Sequence, residues 1–526
     1  MGWSLGIDVG TTSIKVGVFD EAGSELAAAS REYRLQTPAP DRVEADAELY
    51  WQGAVEVARR CLAQPGADPR RVTALAVSSQ GETLIPVDVR GDPLAPAIVW
   101  LDNRAQQEAE LVRERFPGPE LYLATGVPAA TPTWPACKLL WWRLHEPEIY
   151  RATHRFQLVE EFLLQRLTGR FVAESGVQAT SLLLDITERR WWQPMLEWLG
   201  LGRDRLAELI HPGDVVGRLT PAAAEALGLG SGVLVVAGGM DQGAGAVGVG
   251  NLCPGVLSES TGGALTVQAS VTAPAGRRAP VPVYIHSAPS LFLYCPVSPT
   301  GGMALTWFRD RFTPPLTDGV VGAAVASYEI LMALAAGVAP GADGLTVLPH
   351  LAGALSPADE PNARGAVFGL TLAHGREHLV RAILESVAFM LRENVELLGQ
   401  MGAGAPEIRS HGGGARSALW NQIKADVCSL PVVTVEGTQA AVRGDAMLAG
   451  VASGAFSSLD QAAEAAVRIR ARFEPDARSR PSYEEAYRRY QDIFQAMRPL
   501  FRAAPAPAEG GKAGGHDRPD RPPRRR

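Results

Sequence analysis

Cysteine is scarce in this chain: five in 526 residues, Cys61, Cys137, Cys253, Cys295 and Cys428, with no CxxC pair and no histidine spacing that would build a zinc site. That excludes a disulfide scaffold and leaves reduced thiols in a cytoplasmic protein as the expectation. Long apolar runs are missing as well. No stretch reaches the roughly 18 residues a membrane span needs, and the start MGWSLGIDVG lacks the basic and apolar regions of a signal peptide. Basic charge is not in excess, since 50 Lys and Arg face 57 Asp and Glu for a net charge of -7, which argues against nucleic acid as a partner. No GxxxxGK[ST] occurs anywhere, so a nucleotide would have to be held without a Walker A loop. A small-molecule partner is what remains.

The length exceeds what one core accommodates, and two α/β domains of roughly 200 to 250 residues each, flanking a cleft, are expected. The boundaries read as residues 1–253, 254–501 and a disordered tail, 502–526, rich in Ala, Pro, Gly and Arg. The first segment alternates strand and turn: Ser4 to Val9, Ile14 to Asp20, then Glu25 to Tyr33 after a turn at Gly23. A helix follows with apolar positions Leu49, Ala54, Val57, Ala58 and Cys61, and then a strand, Val72 to Ser78. Further helical stretches are read at Cys137 to Leu167 and Trp191 to Leu209. After Pro254-Gly255 the plan repeats, with a strand at Val256 to Ser258, a Ser260-Thr261-Gly262-Gly263 turn and a strand at Leu265 to Gln268. Helices are expected at Tyr328 to Ala336, His378 to Leu398, Leu419 to Cys428, Ala440 to Gly450 and Tyr483 to Phe501.

Two carboxylates sit where such strands end. The apolar run Val233 to Ala237 leads through Gly238-Gly239-Met240 into Asp241-Gln242, and Leu5-Gly6-Ile7-Asp8-Val9 leads into Gly10-Thr11-Thr12-Ser13. Ligands bind at the carboxyl ends of strands in open parallel sheets, so this pairing of acids with glycine and hydroxyl residues points to metal-assisted phosphate chemistry. Gly10 admits the backbone, Thr11, Thr12 and Ser13 donate to phosphate oxygens, and Asp8 can hold Mg²⁺. The stretch Gly243-Ala244-Gly245-Ala246-Val247-Gly248 matches GxGxxG, but five residues separate it from its strand and the N-terminal strands form a hairpin instead of a crossover. Close helix packing explains it better than a dinucleotide. A third glycine turn, His411 to Ala415, precedes a helix, where backbone could lie flat against a purine. His411 itself reads as a packed loop residue.

These residues resemble the FGGY carbohydrate kinases, the family of xylulokinase, glycerol kinase and gluconokinase. The likeness runs from Leu5 to about Met497. It is most specific along Gly365-Ala366-Val367-Phe368-Gly369-Leu370 and His378 to Glu385, and weaker at Pro135-Ala136-Cys137-Lys138-Leu139-Leu140-Trp141. The resemblance implies two actin-like, ribonuclease H-like domains closing on Mg-ATP and a sugar. By motif, Asp8 would lie near the metal, Gly10 to Ser13 and the turn Thr261-Gly262 near the phosphates, and Gly413, Gly414 and Asn421 at the nucleotide. Asp241 would be the general base and share the metal, with Gln242 beside the substrate. Gln80, Glu82 and Trp100 align with substrate positions. Glu82 resembles the acid of glycerol kinase, yet its glycerol-contacting Arg, Tyr and Phe appear here as Gly81, Thr133 and Ala264, so a wider pocket and a four- to six-carbon ketose or polyol are expected. Glycerol kinase, and a sugar- and nucleotide-binding regulator without turnover, are the alternatives. The assembly is left open, a homodimer included.

Overall fold

A computed structural model describes residues 2–276, 279–312, 321–437 and 439–503. The expected tail lies outside these residues, apart from the end of the last helix.

The N-terminal meander is as expected. Strands β1 (Trp3–Val9), β2 (Ser13–Phe19) and β3 (Glu25–Glu32) pair antiparallel, with Asp8 opposite Lys15. Helix α1 (Glu48–Leu62) lays its apolar face on them and leads to β4 (Val72–Ser79), which runs parallel to β1. Strand β5 (Val215–Arg218) closes the edge beside β6 (Leu234–Met240), completing the order β5-β6-β4-β1-β2-β3. β1 is buried along its whole length although its sequence alternates, Trp3, Leu5, Ile7 and Val9 with Ser4, Gly6 and Asp8, because both of its faces are covered.

The second sheet repeats the pairing pattern around its hairpin and parallel strands. Strands β7 (Leu257–Thr261), β8 (Leu265–Val271), β9 (Val283–Ile285), β10 (Phe292–Tyr294), β11 (Ile408–His411), β12 (Val432–Val435) and β13 (Ile469–Phe473) run in the order β9-β10-β8-β7-β11-β12-β13. As in the first sheet, an antiparallel hairpin opens the fold, two parallel strands follow (β11, β12), and an antiparallel strand closes the edge. The echo of the Asp8 hairpin at Thr261 is therefore an echo of the whole sheet, and the chain is two actin-like α/β halves.

The helical readings between the sheets needed correction. Cys137 to Leu167 breaks into α2 (Pro135–His145), a short helix at Pro147–Ala152, a strand at Arg155–Gln157 and α3 (Val159–Thr168), because Pro147 cannot continue the preceding helix. Trp191 pairs as a strand with Leu184, and the helix after it ends at Gly200, whose φ is +62°. Trp192 is buried against Phe116 with ring centroids 4.8 Å apart, as a packing residue should be.

Two helices cross between the sheets: α4 (Asp241–Gly248) and, after α5 (Arg376–Gln400) and α6 (Ala418–Cys428), α7 (Ala440–Ala452). A Cβ at Gly248 would stand 1.8 Å from the Ala440 carbonyl oxygen, and one at Gly444 1.9 Å from that of Ala244. The GxGxxG run is thus a helix-crossing seam, as its context suggested. Among the described residues no helix is long and apolar enough to cross a membrane.

Candidate active site

The β1–β2 turn is tightly tied. Gly10 N–H donates to Ser13 O at 3.0 Å, Tyr33 N–H donates to Thr12 O at 2.9 Å, and the Tyr33 hydroxyl donates to Gly10 O. Trp100 Nε1 donates to the Thr11 hydroxyl at 2.8 Å, so the aromatic expected at the substrate and the turn expected at the phosphates are one hydrogen bond apart. Asp8, buried at the end of β1, accepts from Lys15 Nζ at 2.8 Å through Oδ2, and its buried Oδ1 has no donor among the described residues. That pairing holds the Lys15 ammonium above its ordinary range.

Asp241 opens α4 at the end of β6 and is half-buried. Burial, then the Asp8 charge, push its acid up to about 7, against the opposing pull of Lys15. Gln242 donates to Asp241 Oδ1 at 3.3 Å, while its Oε1 accepts from Thr266 at 2.9 Å and Gln268 at 2.7 Å on β8 of the second sheet. Asp241 therefore sits at the junction of the two halves. An acid whose folded pKa lies above its unfolded value binds more protons folded than unfolded, so its contribution to stability falls as pH rises from about 4 to about 7. Asp241→Asn removes that loss and is expected to raise Tm at pH 8 by about 2–4 °C, the effect of roughly 1 kcal/mol in a domain of this size, with little change at pH 4. Scanning calorimetry at both pH values checks this, and a lower Tm at pH 8 would contradict it.

Asp445 was not visible as a site residue in the sequence. It lies on α7, fully buried, and accepts from Ser78 Oγ at 2.8 Å, with Oδ1 lacking a donor among the described residues. A Cβ at Gly6 would meet Val442 O at 2.0 Å, and one at Gly238 would meet Asp445 Oδ1 at 2.4 Å, so two glycines let α7 settle onto the sheet and bring Asp445 near Asp8 and Asp241. Burial first, with those two charges adding to it, holds its acid well above the ordinary range. The readable signal was a lone acid immediately before an apolar helical run, Ala446 to Ala449.

Where the substrate is expected, Gln80 is buried with Oε1 lacking a donor among the described residues, and Glu82 is buried in a left-handed conformation, φ 57°. The loop is pinned by Lys138 on α2, whose Nζ donates to the carbonyls of Glu82 at 2.8 Å and Val99 at 3.0 Å. Lys138 gives the weak N-terminal signature a structural reason. Burial raises the Glu82 acid and lowers the Lys138 ammonium, each partly offset by the other's charge. Tyr284 on β9 is near enough to feel both Glu82 and Asp241. One expectation is revised: a Cβ at Gly81 would stand 2.9 Å from Thr180 Oγ1, so the room expected there is already filled.

The second turn packs on the third. A Cβ at Gly414 would meet Thr261 Cβ at 2.7 Å, whereas one at Gly262 would meet nothing within 4 Å among the described residues. The Thr261 hydroxyl is already engaged, donating to Glu259 at 2.7 Å and accepting from Lys424 at 2.9 Å, within a fully buried Lys424–Glu259 pair at 2.6 Å. Asn421 is likewise turned inward, donating to Ala415 O at 2.9 Å and accepting from Ser410 at 3.3 Å. Both side chains hold the turn. His411 packs over Gly245, 3.4 Å from where its Cβ would be, and burial lowers its pKa to about 4.

Comparison with known proteins agrees with this geometry. The N-terminal domain of the FGGY family of carbohydrate kinases matches residues 3–248, and the C-terminal domain matches residues 264–453. The xylulose kinase of Bacillus subtilis (strain 168) is 30% identical over 502 residues, covering 95% of this chain and 98% of its own. The gluconokinase of the same organism is 28% identical over 460 residues, covering 87% and 89%. The crystal structure of ligand-bound xylulose kinase from Lactobacillus acidophilus superposes with a TM-score of 0.85 over 96% of this chain and all of its own, at 23% identity, a likeness of fold. The chain belongs to the FGGY family of carbohydrate kinases, phosphotransferases that act on sugar hydroxyls.

Proposed function

We propose that this protein transfers a phosphoryl group from Mg-ATP to a hydroxyl of a four- to six-carbon ketose or polyol, with Asp241 as general base. The reading rests most heavily on one observation: Asp241, whose acid is pushed up to about 7, lies close enough to feel Asp8, which has an orphaned buried oxygen, and to act on Glu82. A base with that pKa is well placed to take the hydroxyl proton at neutral pH. Among the described residues no three His, Cys, Asp or Glu side chains form a ready-made metal cage. That suits Mg²⁺, which is held by one or two carboxylates together with nucleotide phosphates. Asp8, with Asp241 nearby, would hold it, and Mg-ATP would supply the phosphoryl group with its oxygens neutralised. The half of residues 1–253 would carry the sugar through Gln80, Glu82, Trp100 and Gln242. The half of residues 254–501 would carry the nucleotide through the Gly262 and Gly413-Gly414 backbones, facing Gly10, Thr11, Thr12 and Ser13 across the cleft. Free cysteines, Cys253 among them exposed, suit a cytoplasmic enzyme.

Substrate choice is tested by parallel steady-state kinetics on glycerol, erythritol, xylitol, xylulose, ribulose, fructose and gluconate. Glycerol would leave polar groups of the pocket unpaired, at roughly 1 to 3 kcal/mol for each. The best four- to six-carbon substrate is expected to exceed glycerol in kcat/KM by about 10²-fold or more, and Glu82→Ala to narrow the gap. Glycerol as the best substrate would favour glycerol kinase and reject this pocket, as would an unaltered preference in the Glu82 variant.

A further inference from the structure

The strand that delivers Asp241 is broken just before it. The ladder between β6 and β4 shifts register between Ala237 and Gly239, and Gly239 has φ +92°. The amides of Gly238 and Gly239 both donate to one oxygen, Glu160 Oε1 on the first turn of α3, at 3.0 Å each. On the other side of the bulge Ser287 Oγ donates to Gly238 O at 2.9 Å. Glu160 is fully buried, and its second oxygen, Oε2, has no donor among the described residues.

Glu174, also fully buried, lies against it within hydrogen-bond reach. The Glu174 carboxylate accepts from Gly176 N at 2.6 Å and Val177 N at 2.9 Å, one amide on each oxygen, with Ser175 Oγ at 3.3 Å. It is therefore arranged as an ionised acceptor. Two ionised carboxylates side by side in a buried site repel strongly, and a single proton relieves both the repulsion and the orphaned Oε2. Placed on Glu160 Oε2, that proton donates to Glu174 while Oε1 stays free for the two amides.

We propose that Glu160 is a positioning residue held as a neutral acid, whose Oε1 clamps the Gly238–Gly239 bulge and whose Oε2–H is anchored by Glu174, so that Asp241 is aimed into the cleft. Burial, and then the Glu174 charge, act in the direction that keeps Glu160 protonated. The assignment of what Asp241 does once aimed rests on the proposed kinase reading, but the clamp itself does not.

The test compares Glu160→Asp, Glu160→Gln and Asp241→Asn, alone and as Glu160→Asp/Asp241→Asn, with Mg-ATP and the best sugar of the panel. Aspartate withdraws the carboxyl by a methylene and is expected to lower kcat about 10- to 100-fold, with both KM values within about threefold, as misplacing a reacting group by about 1 Å does. Glutamine keeps an acceptor for the amides and offers Nε2–H to Glu174, and should restore kcat to within about threefold of wild type. On the Asp241→Asn background, Glu160→Asp should cost less than about threefold more, because its effect acts through Asp241. Wild-type kcat in the Asp variant, a tenfold or greater loss in the Gln variant, or a fully additive double variant would overturn the proposal. If the Asp variant does not fold, the Gln variant decides by the same limits. Should Asp241→Asn alone keep wild-type turnover, the base assignment fails separately, and loss in Asp with rescue by Gln would still identify Glu160 as the clamp.

Discussion

Asp241→Asn is expected to lower kcat by about 10²- to 10⁴-fold while leaving the KM values for sugar and ATP within a few-fold, the signature of a lost general base. Asparagine keeps the size of the side chain and can still hydrogen-bond Gln242, so binding survives while the proton acceptor does not. In the wild-type protein the same reasoning sets the pH dependence. The base works only when ionised, so kcat/KM should fall about tenfold for each pH unit below about 7 and level off above it. A pH–rate profile from 5.5 to 8.5 measures both features. An Asn variant with wild-type turnover would remove Asp241 from the chemistry.

The second large effect is expected at Asp8. Its Oδ1 is the orphaned oxygen proposed for Mg²⁺, and its Oδ2 neutralises Lys15. Asp8→Ala should lower kcat by about 10²-fold or more and raise the Mg²⁺ concentration for half-maximal rate by about tenfold. It also frees the Lys15 ammonium, which already acts on Asp241. With the Asp8 charge gone and Lys15 unpaired, the acid limb of the pH profile should move to lower pH, because loss of the neighbouring carboxylate and an unneutralised cation both favour the ionised form of Asp241. Initial rates titrated with Mg²⁺ decide the point: an unchanged half-maximal concentration would show that Asp8 does not hold the metal.

Much of this site could be read from the chain because the chemistry sits at strand ends. Asp8 and Asp241 each follow a buried apolar run and precede glycine, and both are where such a pattern puts them. The Thr261 hairpin was legible as a repeat for the same reason. What stayed hidden depends on contacts between residues far apart in sequence. Asp445 reaches the site only because α7 settles on Gly6 and Gly238. Glu160 matters only through the bulge at Gly238, and bulges leave no periodic trace. Gly81 looked like open space, yet Thr180, which also bonds the Glu82 amide, fills it. Thr261 and Asn421 show the converse. Their residue types suit a nucleotide site, and the structure adds that each also braces the turn, Thr261 on Glu259 and Asn421 on Ala415.

The same distinction bears on the rival functions. A regulator without turnover could keep both glycine turns, but it does not need a half-buried acid pushed up to about 7 beside Asp8 and Glu82. The decisive measurement is the joint yield of ADP and phosphorylated sugar from Mg-ATP with the best sugar of the panel, for wild type and for Asp241→Asn. The account predicts sugar-dependent formation of the two products in equal amounts by wild type, and loss of both together by about 10²-fold or more in the variant. ADP released without phosphorylated sugar, or equal yields from the two proteins, would contradict it.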